Sequence, residues 1–187
     1  AAMIAQRRAP GLLRRFDAEK WSCFDKSVWQ QARESALDLA QPDAKFDIVG
    51  SDIDPDCVQL SIENARKAGV ANTVFFERAD ATKRDYSNAG VLFANPPYGE
   101  RLLDLQQAEK LYDDLGRATK NSPMKQYLLS SDPLFERCYG RKADKRRKLY
   151  NGMIKCELHM YFKDPSASNR GENKHSDHPS AKRPAKR

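Results

Sequence analysis

The amino-acid sequence predicts an α/β fold in which a doubly wound, mostly parallel sheet ends in an antiparallel hairpin. Two observations lead to this prediction. Short apolar runs alternate with longer amphipathic segments, as expected when helices connect parallel strands. Near the end of the chain, Asn151-Gly152 separates two strand-like runs, which is a strong hairpin signal. The chain has 187 residues, enough for one domain with a sizeable core.

The helices are predicted from capping residues and from the spacing of apolar side chains. Asp25 and Asp54 each precede an amphipathic segment as N-cap residues, and Pro55 suits the first helical position. Gly69 then favours a helix end. The predicted helices are Ala1–Arg8, Lys26–Ala40, Pro55–Lys67, Leu105–Thr119 and a short helix opened by Asp132-Pro133.

The strands are predicted from short runs rich in β-branched and aromatic residues. Two of these runs, Phe46–Ser51 and Val91–Ala94, are mostly apolar, with Asp47 and Ser51 as the polar residues of the first, and such runs are typical of parallel strands covered on both faces. The remaining predicted strands are Thr73–Arg78, Gln126–Ser130, Lys148–Tyr150 and Ile154–Phe162.

The two ends of the chain differ from the body. Ala1–Ala9 has the character of a helix interior, which predicts that the chain is a fragment of a longer protein. Beyond Lys163 the chain is polar and basic with almost no apolar residue, which is typical of disorder. We therefore expect a partial domain over residues 1–163 and a basic, disordered tail over 164–187.

Composition narrows the functional classes. No apolar run approaches the ~20 residues that a membrane span needs, and no secretion signal opens the chain. The four cysteines are isolated and only three histidines are present, so we expect no metal site and reduced thiols in the cytoplasm.

Charge is distributed unevenly along the chain. The net charge is +1 over residues 1–43, −3 over 44–135 and +9 over 136–187. A basic end on a neutral-to-acidic body indicates a polyanionic partner, and a solubilising tail is the alternative. Six basic residues fall within eight positions and could contact phosphates or form a solvated loop before the hairpin: Arg141, Lys142, Lys145, Arg146, Arg147 and Lys148.

The strongest chemical signal is Asn95-Pro96-Pro97-Tyr98, which directly follows the apolar run Val91–Ala94. Ligands of open α/β sheets bind beyond the carboxyl ends of strands. Two prolines remove two N–H donors and fix the backbone, so the segment can only accept hydrogen bonds. With the Asn95 side-chain oxygen it forms a rigid acceptor cluster suited to an –NH2 group, and Tyr98 could stack on a base. A plain proline turn is the alternative.

Acidic residues end the two preceding strands. Asp52 could accept the hydroxyls of a ribose, with Ile53 against an adenine, whereas Asp54 is better suited to capping the next helix. Asp80, followed by Ala81, could accept a hydrogen bond from an adenine amine. Either aspartate could instead be an ordinary capping or turn residue. Their order along three successive strands is more informative than each alone.

Residues Asp47–Leu102 resemble class I methyltransferases that carry an Asn-Pro-Pro-Tyr motif. The segments Asn95–Leu102 and Ala143–Gly152 are similar to those of the bacterial THUMP-associated, UPF0020-like 23S rRNA guanine-N2 methyltransferases. The resemblance covers roughly residues 1–163. The family's glycine-rich loop and the central strand before it would precede Ala1, so the resemblance implies N-terminal truncation of the methyltransferase sheet and little activity for this chain alone.

The resemblance implies methyl transfer from S-adenosyl-L-methionine to an exocyclic base amine, with guanine N2 of ribosomal RNA as the expected target. Asp52, Ile53, Asp80 and Ala81 would bind the cofactor. Asn95 and the Pro96 carbonyl would hold the amine, and Tyr98 would stack on the flipped base. The motif serves an adenine N6 amine in DNA equally well. A non-catalytic nucleic-acid-binding fragment and a different nucleotide-binding α/β enzyme are further alternatives.

Overall fold

The structure is a computed structural model that describes residues 1–44, 46–97 and 105–162. The chain forms two compact units, one over Ala1–Ala81 and one from Thr82 onward. The predicted basic tail, 164–187, lies outside the described residues. No helix in the described ranges is long and apolar enough to cross a membrane.

The first unit contains a two-stranded parallel sheet whose strands are joined by a helix. Its elements are α1 (Ala2–Ala5), a 3-10 helix (Asp17–Lys20), α2 (Lys26–Asp38), β1 (Ile48–Asp52), α3 (Pro55–Lys67) and β2 (Val74–Arg78). Asp54 caps α3 as predicted, because its side chain accepts a hydrogen bond from the Asp56 N–H at 2.8 Å. Gly69 follows the helix with φ +67°, where a left-handed residue is required.

The core of the first unit lies on one face of its sheet. Buried Ala2, Ala65 and Val70 pack with Ile48 and Phe76 on this face. The interior is also tied by polar contacts, since Gln6 Nε2 donates to Thr73 Oγ1 at 2.7 Å and to the Pro42 carbonyl at 2.8 Å.

The prediction of a buried strand at Phe46–Ser51 is wrong for the sheet face that carries Val49 and Phe75, opposite the core. Val49 and Phe75 are register partners, and they are 44% and 63% exposed. Phe46 precedes β1 and is also exposed. The reason is that the elements packed against this sheet in the described residues lie on the Ile48 side. An apolar run therefore indicated a strand without indicating what covers it.

The helical predictions differ from the structure mainly at the N-terminus. Helix α1 is shorter than the predicted Ala1–Arg8, and Arg7 leaves the helix with φ +52°. The 3-10 helix falls in a stretch for which no element was predicted. Glu19 fixes it by accepting the Phe16 N–H at 2.8 Å and an Arg33 guanidinium hydrogen at 2.6 Å.

The second unit is a four-stranded mixed sheet with two helices. Its elements are β3 (Val91–Ala94), α4 (Leu105–Thr119), β4 (Lys125–Ser130), α5 (Phe135–Tyr139), β5 (Lys145–Asn151) and β6 (Ile154–Tyr161). The strand order is β3-β4-β6-β5. Strands β3 and β4 are parallel, and β6 is antiparallel to both of its neighbours. Strand β5 therefore runs in the same direction as β3 and β4.

The predicted hairpin is confirmed, but its turn is shifted by one residue. Asn151 pairs with Ile154, so Gly152 and Met153 form the turn. Gly152 has φ +61°, and Met153 does not have a positive φ. This is the pattern of a type II′ turn, which places glycine at the first central position.

Helices α4 and α5 cover one face of this sheet. The buried cluster comprises Ala108, Tyr112, Leu115, Leu128, Phe135, Tyr139 and Tyr161. A polar contact lies within it, where the Tyr139 hydroxyl meets Thr119 Oγ1 at 2.5 Å and donates to Gln126. Burial raises the pKa of Tyr139 to about 12.

The other face of the four-stranded sheet is more open. Phe93 is 70% exposed, although its ring stacks on Tyr127 at 4.7 Å between centroids. The prediction that Val91–Ala94 is covered on both faces is therefore wrong for the described residues. The two helices of this unit pack on the Leu92 and Ala94 side of β3 instead.

Candidate active site

The Asn95-Pro96-Pro97 segment begins where β3 ends, at the carboxyl edge of the four-stranded sheet. The Asn95 side chain is exposed, Pro96 is buried and Pro97 is half-buried. The two prolines therefore anchor the segment while the asparagine remains accessible. Tyr98, the predicted stacking residue, lies outside the described residues.

Tyr112 of α4 fixes this segment from below. Its side chain is fully buried, and its hydroxyl donates to the Pro97 carbonyl at 2.9 Å. A buried phenol needs such a partner. The Pro97 carbonyl thus already accepts one hydrogen bond from the protein, whereas the Asn95 side chain is exposed.

Sequence reasoning missed Tyr112. The signal was its place in an apolar stripe of α4, together with Ala108, Leu115 and Thr119. Such a stripe predicts only a core position. The hydroxyl at its centre was the one sign that a polar partner had to lie nearby.

The predicted cofactor residues lie in the first unit. Asp52 ends β1 with an exposed side chain, and its Oδ1 accepts the Asp54 N–H at 2.9 Å. Ile53 is 62% exposed and presents an apolar surface, while its carbonyl accepts from Arg78 Nε at 2.9 Å. Asp52 thus holds the turn with one carboxylate oxygen. The other has no hydrogen-bond partner among the residues the structure describes.

The structure brings Asp80 and Ala81 to the same edge. They follow β2, which is parallel to β1, and the Ala79 N–H donates to the Asp52 carbonyl at 2.9 Å. Asp80 is partly buried and makes interactions of its own. The four predicted cofactor residues therefore form one local group in the first unit.

Several carboxylates lie close together at this edge, and the Arg78 guanidinium also reaches it at the Ile53 carbonyl. Desolvation, followed by the nearby carboxylates of Asp54 and Asp52, raises the pKa of the Cys57 thiol. Carboxylates suit hydroxyl donors and a positively charged ligand, and they oppose phosphate groups. S-adenosyl-L-methionine has two ribose hydroxyls and a sulfonium and carries no phosphate. The residues present therefore fit that cofactor better than a dinucleotide.

Four residues of the basic run are in β5 and not in a loop. The pairing of β5 with β6 begins at Lys145, opposite Met160. The alternative of a solvated loop before the hairpin is wrong for Lys145, Arg146 and Arg147, because the strand predicted to begin at Lys148 begins at Lys145. Alternation then divides the charges between the two faces of the sheet.

The basic side chains have different surroundings. Arg146 lies 3.2 Å from Glu157 and 3.8 Å from Glu136. Lys148 lies over the Tyr150 ring at 5.3 Å, and Arg141 over the Tyr161 ring at 5.0 Å. Lys142, Lys145 and Arg147 are exposed. The run is therefore not one continuous stripe.

The cysteines remain separate in the structure. Cys23 and Cys57 are exposed, Cys138 is partly buried and Cys156 is buried, and all four are free. In the ranges that the structure describes, no three His, Cys, Asp or Glu side chains are grouped to hold a metal ion.

Comparison with known proteins finds relatives that are named as RNA methyltransferases. YpsC of Bacillus subtilis is 39% identical over 166 residues, covering 87% of this chain and 43% of YpsC. The ribosomal RNA large subunit methyltransferase K/L of Legionella pneumophila (strain Lens) is 37% identical, covering 92% of this chain and 25% of that protein. The chain thus spans less than half the length of these relatives.

A solved structure shows the same fold. SMU.472, which was crystallised with SAH, matches with a TM-score of 0.81 and 38% identity, covering 86% of this chain and 43% of that one. The fold class predicted from the sequence, a class I methyltransferase α/β sheet, is confirmed. The model of the UPF0020 family, described as RMKL-like methyltransferase domain, matches residues 1–160. The chain therefore belongs to the RMKL-like methyltransferase domain family.

Proposed function

We propose that this chain is part of an enzyme that transfers a methyl group from S-adenosyl-L-methionine to an exocyclic amine of an RNA base. The observation that carries the proposal is the acceptor pair of Asn95 and the Pro96 carbonyl at the carboxyl end of β3. Tyr112 supports it by holding the adjacent Pro97 carbonyl at 2.9 Å. The segment accepts hydrogen bonds and donates none from its prolines, as an amine-binding site requires.

An exocyclic amine is a weak nucleophile because its lone pair is conjugated with the ring. Two acceptors on its hydrogens orient the amine, and they favour a lone pair localised on nitrogen. The cofactor supplies an electrophilic methyl group on its sulfonium. The chain's own contribution is positioning and electrostatic stabilisation, and the methylated nitrogen gives up its proton without a strong general base.

Cofactor binding is assigned to Asp52, Ile53, Asp80 and Ala81. Asp52 has an exposed carboxylate for the ribose hydroxyls, and exposed Ile53 offers an apolar face for adenine. Asp80 would accept from the adenine amine. Tyr98 completes the proposal as the residue that stacks on the target base.

The substrate is proposed to be ribosomal RNA, with guanine N2 as the amine and the cytoplasm as the location. Support comes from the name of the Legionella relative and from the exposed Lys142, Lys145 and Arg147 of the basic run, for which phosphates are natural partners. An adenine N6 amine in DNA would satisfy the same acceptors, and guanine N2 is chosen on the family resemblance.

The test is methyl transfer by the full-length protein with Asn95→Ala. We expect the single-turnover rate on ribosomal RNA to fall by ~10² or more while cofactor affinity changes little, because the lost acceptor acts on the reacting amine. Asn88→Ala, an exposed asparagine before β3, is the control. A near-normal rate in Asn95→Ala would refute the amine-binding role of Asn95. Methyl transfer to DNA in preference to RNA would make DNA the substrate.

A further inference from the structure

The second unit contains a polar cavity of about 200 Å³ that the proposed reaction does not use. It lies between the loop after β4, α5 and the β5–β6 hairpin. The side chains that matter for its chemistry are Ser130, Asp132, Glu136, Arg146, Glu157 and His159. Pockets for whole cofactors or drug-sized ligands usually exceed ~300 Å³. This volume suits a single base.

The cavity opens at the same edge of the sheet as Asn95. Strands β3 and β4 are parallel neighbours, with Ala94 opposite Leu128. Ser130 is the last residue of β4 and pairs with Glu157 of β6. The cavity therefore lies at the carboxyl end of the strand next to the one that carries the proposed amine site.

The floor of the cavity is formed by Glu136 and His159, which are held by several contacts. Glu136 Oε1 accepts the Ala143 N–H at 3.0 Å and lies 3.4 Å from His159 Nδ1. His159 is buried and packs on the Phe135 ring at 4.6 Å. Burial lowers the pKa of His159, and the Glu136 hydrogen bond opposes that effect. These contacts hold Glu136 and His159 in place beneath the more exposed groups.

Arg146 and Glu157 place a hydrogen-bond donor beside an acceptor above Glu136 and His159. Arg146 Nη1 donates to Glu157 Oε2 at 3.2 Å, and Arg146 Nε lies 3.8 Å from Glu136. Within the described ranges, Arg146 Nη2 and Glu157 Oε1 have no hydrogen-bond partner. Both side chains are partly exposed, at 54% and 38%. A ligand edge that offers an acceptor beside a donor would satisfy both.

The charged groups around the cavity disfavour a phosphate as its ligand. Three carboxylates, those of Asp132, Glu136 and Glu157, face two cations, Arg146 and Lys155, around the cavity. Among the bases, guanine combines a two-acceptor edge, O6 and N7, with a two-donor edge, N1–H and N2–H. A guanidinium recognises the first, and a carboxylate accepts from the second.

We infer that this cavity binds an unpaired guanine of the substrate RNA at a position other than the methylated base. The inference rests on the proposed function, since it takes the ligand to be RNA. Arg146 donates to O6 of that guanine, and the Glu157 carboxylate accepts from N1–H and N2–H, a pair of adjacent donors that the other RNA bases do not present. The subsite would select sequence context around the target.

The test uses fluorescently labelled single-stranded RNA heptamers in which one central purine is flanked by six abasic nucleotides, because a uridine would itself offer O4 beside N3–H. Inosine and purine riboside both lack an exocyclic amine, so neither engages the Asn95 acceptors through one. Inosine retains O6 and N1–H, and purine riboside lacks both. We expect the full-length protein to bind the inosine heptamer ~10-fold more tightly, the scale of one good base contact.

The variants Arg146→Lys and Glu157→Gln should each reduce this preference severalfold or abolish it. Arg146→Lys keeps the charge and removes the fork, and Glu157→Gln keeps the shape and removes the charge. Arg137→Lys on α5 is the matched control, since Arg137 is exposed and does not line the cavity. Equal affinity for the two heptamers, or a preference that survives both cavity variants, overturns the inference.

Methyl transfer to ribosomal RNA by the same preparations separates the two proposals. Normal transfer without an inosine preference overturns the guanine subsite and leaves the proposed function standing. An inosine preference without methyl transfer to any RNA overturns the proposed function and leaves the guanine subsite standing.

Discussion

At the scale of single residues, the carboxylate of Asp52 combines a structural and a proposed functional role. Its Oδ1 holds the Asp54 N–H at 2.9 Å, and its side chain is exposed at the end of β1. A hydrogen bond to a charged group contributes ~1.5–3 kcal/mol. The turn contact acts on folding and the proposed ribose contact acts on cofactor affinity, so measuring both distinguishes the two roles.

We predict that Asp52→Ala in the full-length protein weakens S-adenosyl-L-methionine binding by ~1.5–3 kcal/mol and leaves the protein folded. Isothermal titration calorimetry measures the affinity, and circular dichroism checks the fold. Asp56→Ala serves as the control, because Asp56 is an exposed carboxylate of α3 beyond the strand end. Unchanged affinity in Asp52→Ala would show that the carboxylate holds the turn and does not bind the ribose.

The positions of Asn95 and Asp52 were predictable because each directly follows an apolar strand, and strand ends in α/β sheets are where ligands bind. Tyr112 was not, because a tyrosine at helical spacing looks the same whether or not its hydroxyl holds a loop. The pairing of Arg146 with Glu157 was also beyond prediction, since it depends on the register between two strands.

At the scale of elements, local signals predicted most of the fold. The cap at Asp54 and the apolar stripe of α4 are properties of consecutive residues, so α3 and α4 begin and end as expected. The basic strand β5 was underestimated because lysine and arginine are poor strand formers on their own. Its pairing with β6 supplies what intrinsic propensity does not.

The contact between α4 and α5 gives an element-scale prediction. Gly116 of α4 faces the backbone of Tyr139, and a Cβ there would lie 2.1 Å from the Tyr139 carbonyl oxygen. Gly116→Ala must push the helices apart, so we expect a loss of ~1–3 kcal/mol in the free energy of unfolding. Denaturant titration of the full-length protein measures this loss.

Gly90→Ala is the matched control, because nothing lies within 4 Å of the Cβ that it would add. It should change stability by no more than ~0.5 kcal/mol, the usual effect at an exposed site. If Gly116→Ala proved equally neutral, the close approach of the two helices would have to be abandoned.

At the scale of the whole molecule, the sequence predicted which segments are strands but not which faces they expose. An apolar run indicates burial on both sides, yet Val49, Phe75 and Phe93 are exposed in the structure. Coverage depends on other parts of a protein, and this chain spans 43% of YpsC. Burial was therefore the property least accessible from the sequence.

Open strand edges accompany these exposed faces. In the described residues, β1 pairs with β2 alone and β3 with β4 alone. Unpaired N–H and C=O groups on an edge are templates for pairing with other chains, above all when the strand is apolar. Phe93 of β3 and Phe75 of β2, at 70% and 63% exposure, add apolar surface beside those edges.

We therefore predict that the 187-residue chain, expressed alone, aggregates or is partly unfolded and does not bind S-adenosyl-L-methionine measurably. Each unsatisfied backbone group costs ~1–3 kcal/mol where water cannot reach it, and a whole domain has only ~5–15 kcal/mol of net stability. Light scattering and thermal unfolding measure aggregation and the loss of structure, and calorimetry measures cofactor binding. Phe75→Ser with Phe93→Ser should lower the scattering, because both changes remove exposed apolar surface. A cooperative thermal transition of the unaltered chain together with micromolar cofactor affinity would show that the open edges cost far less than this reasoning requires.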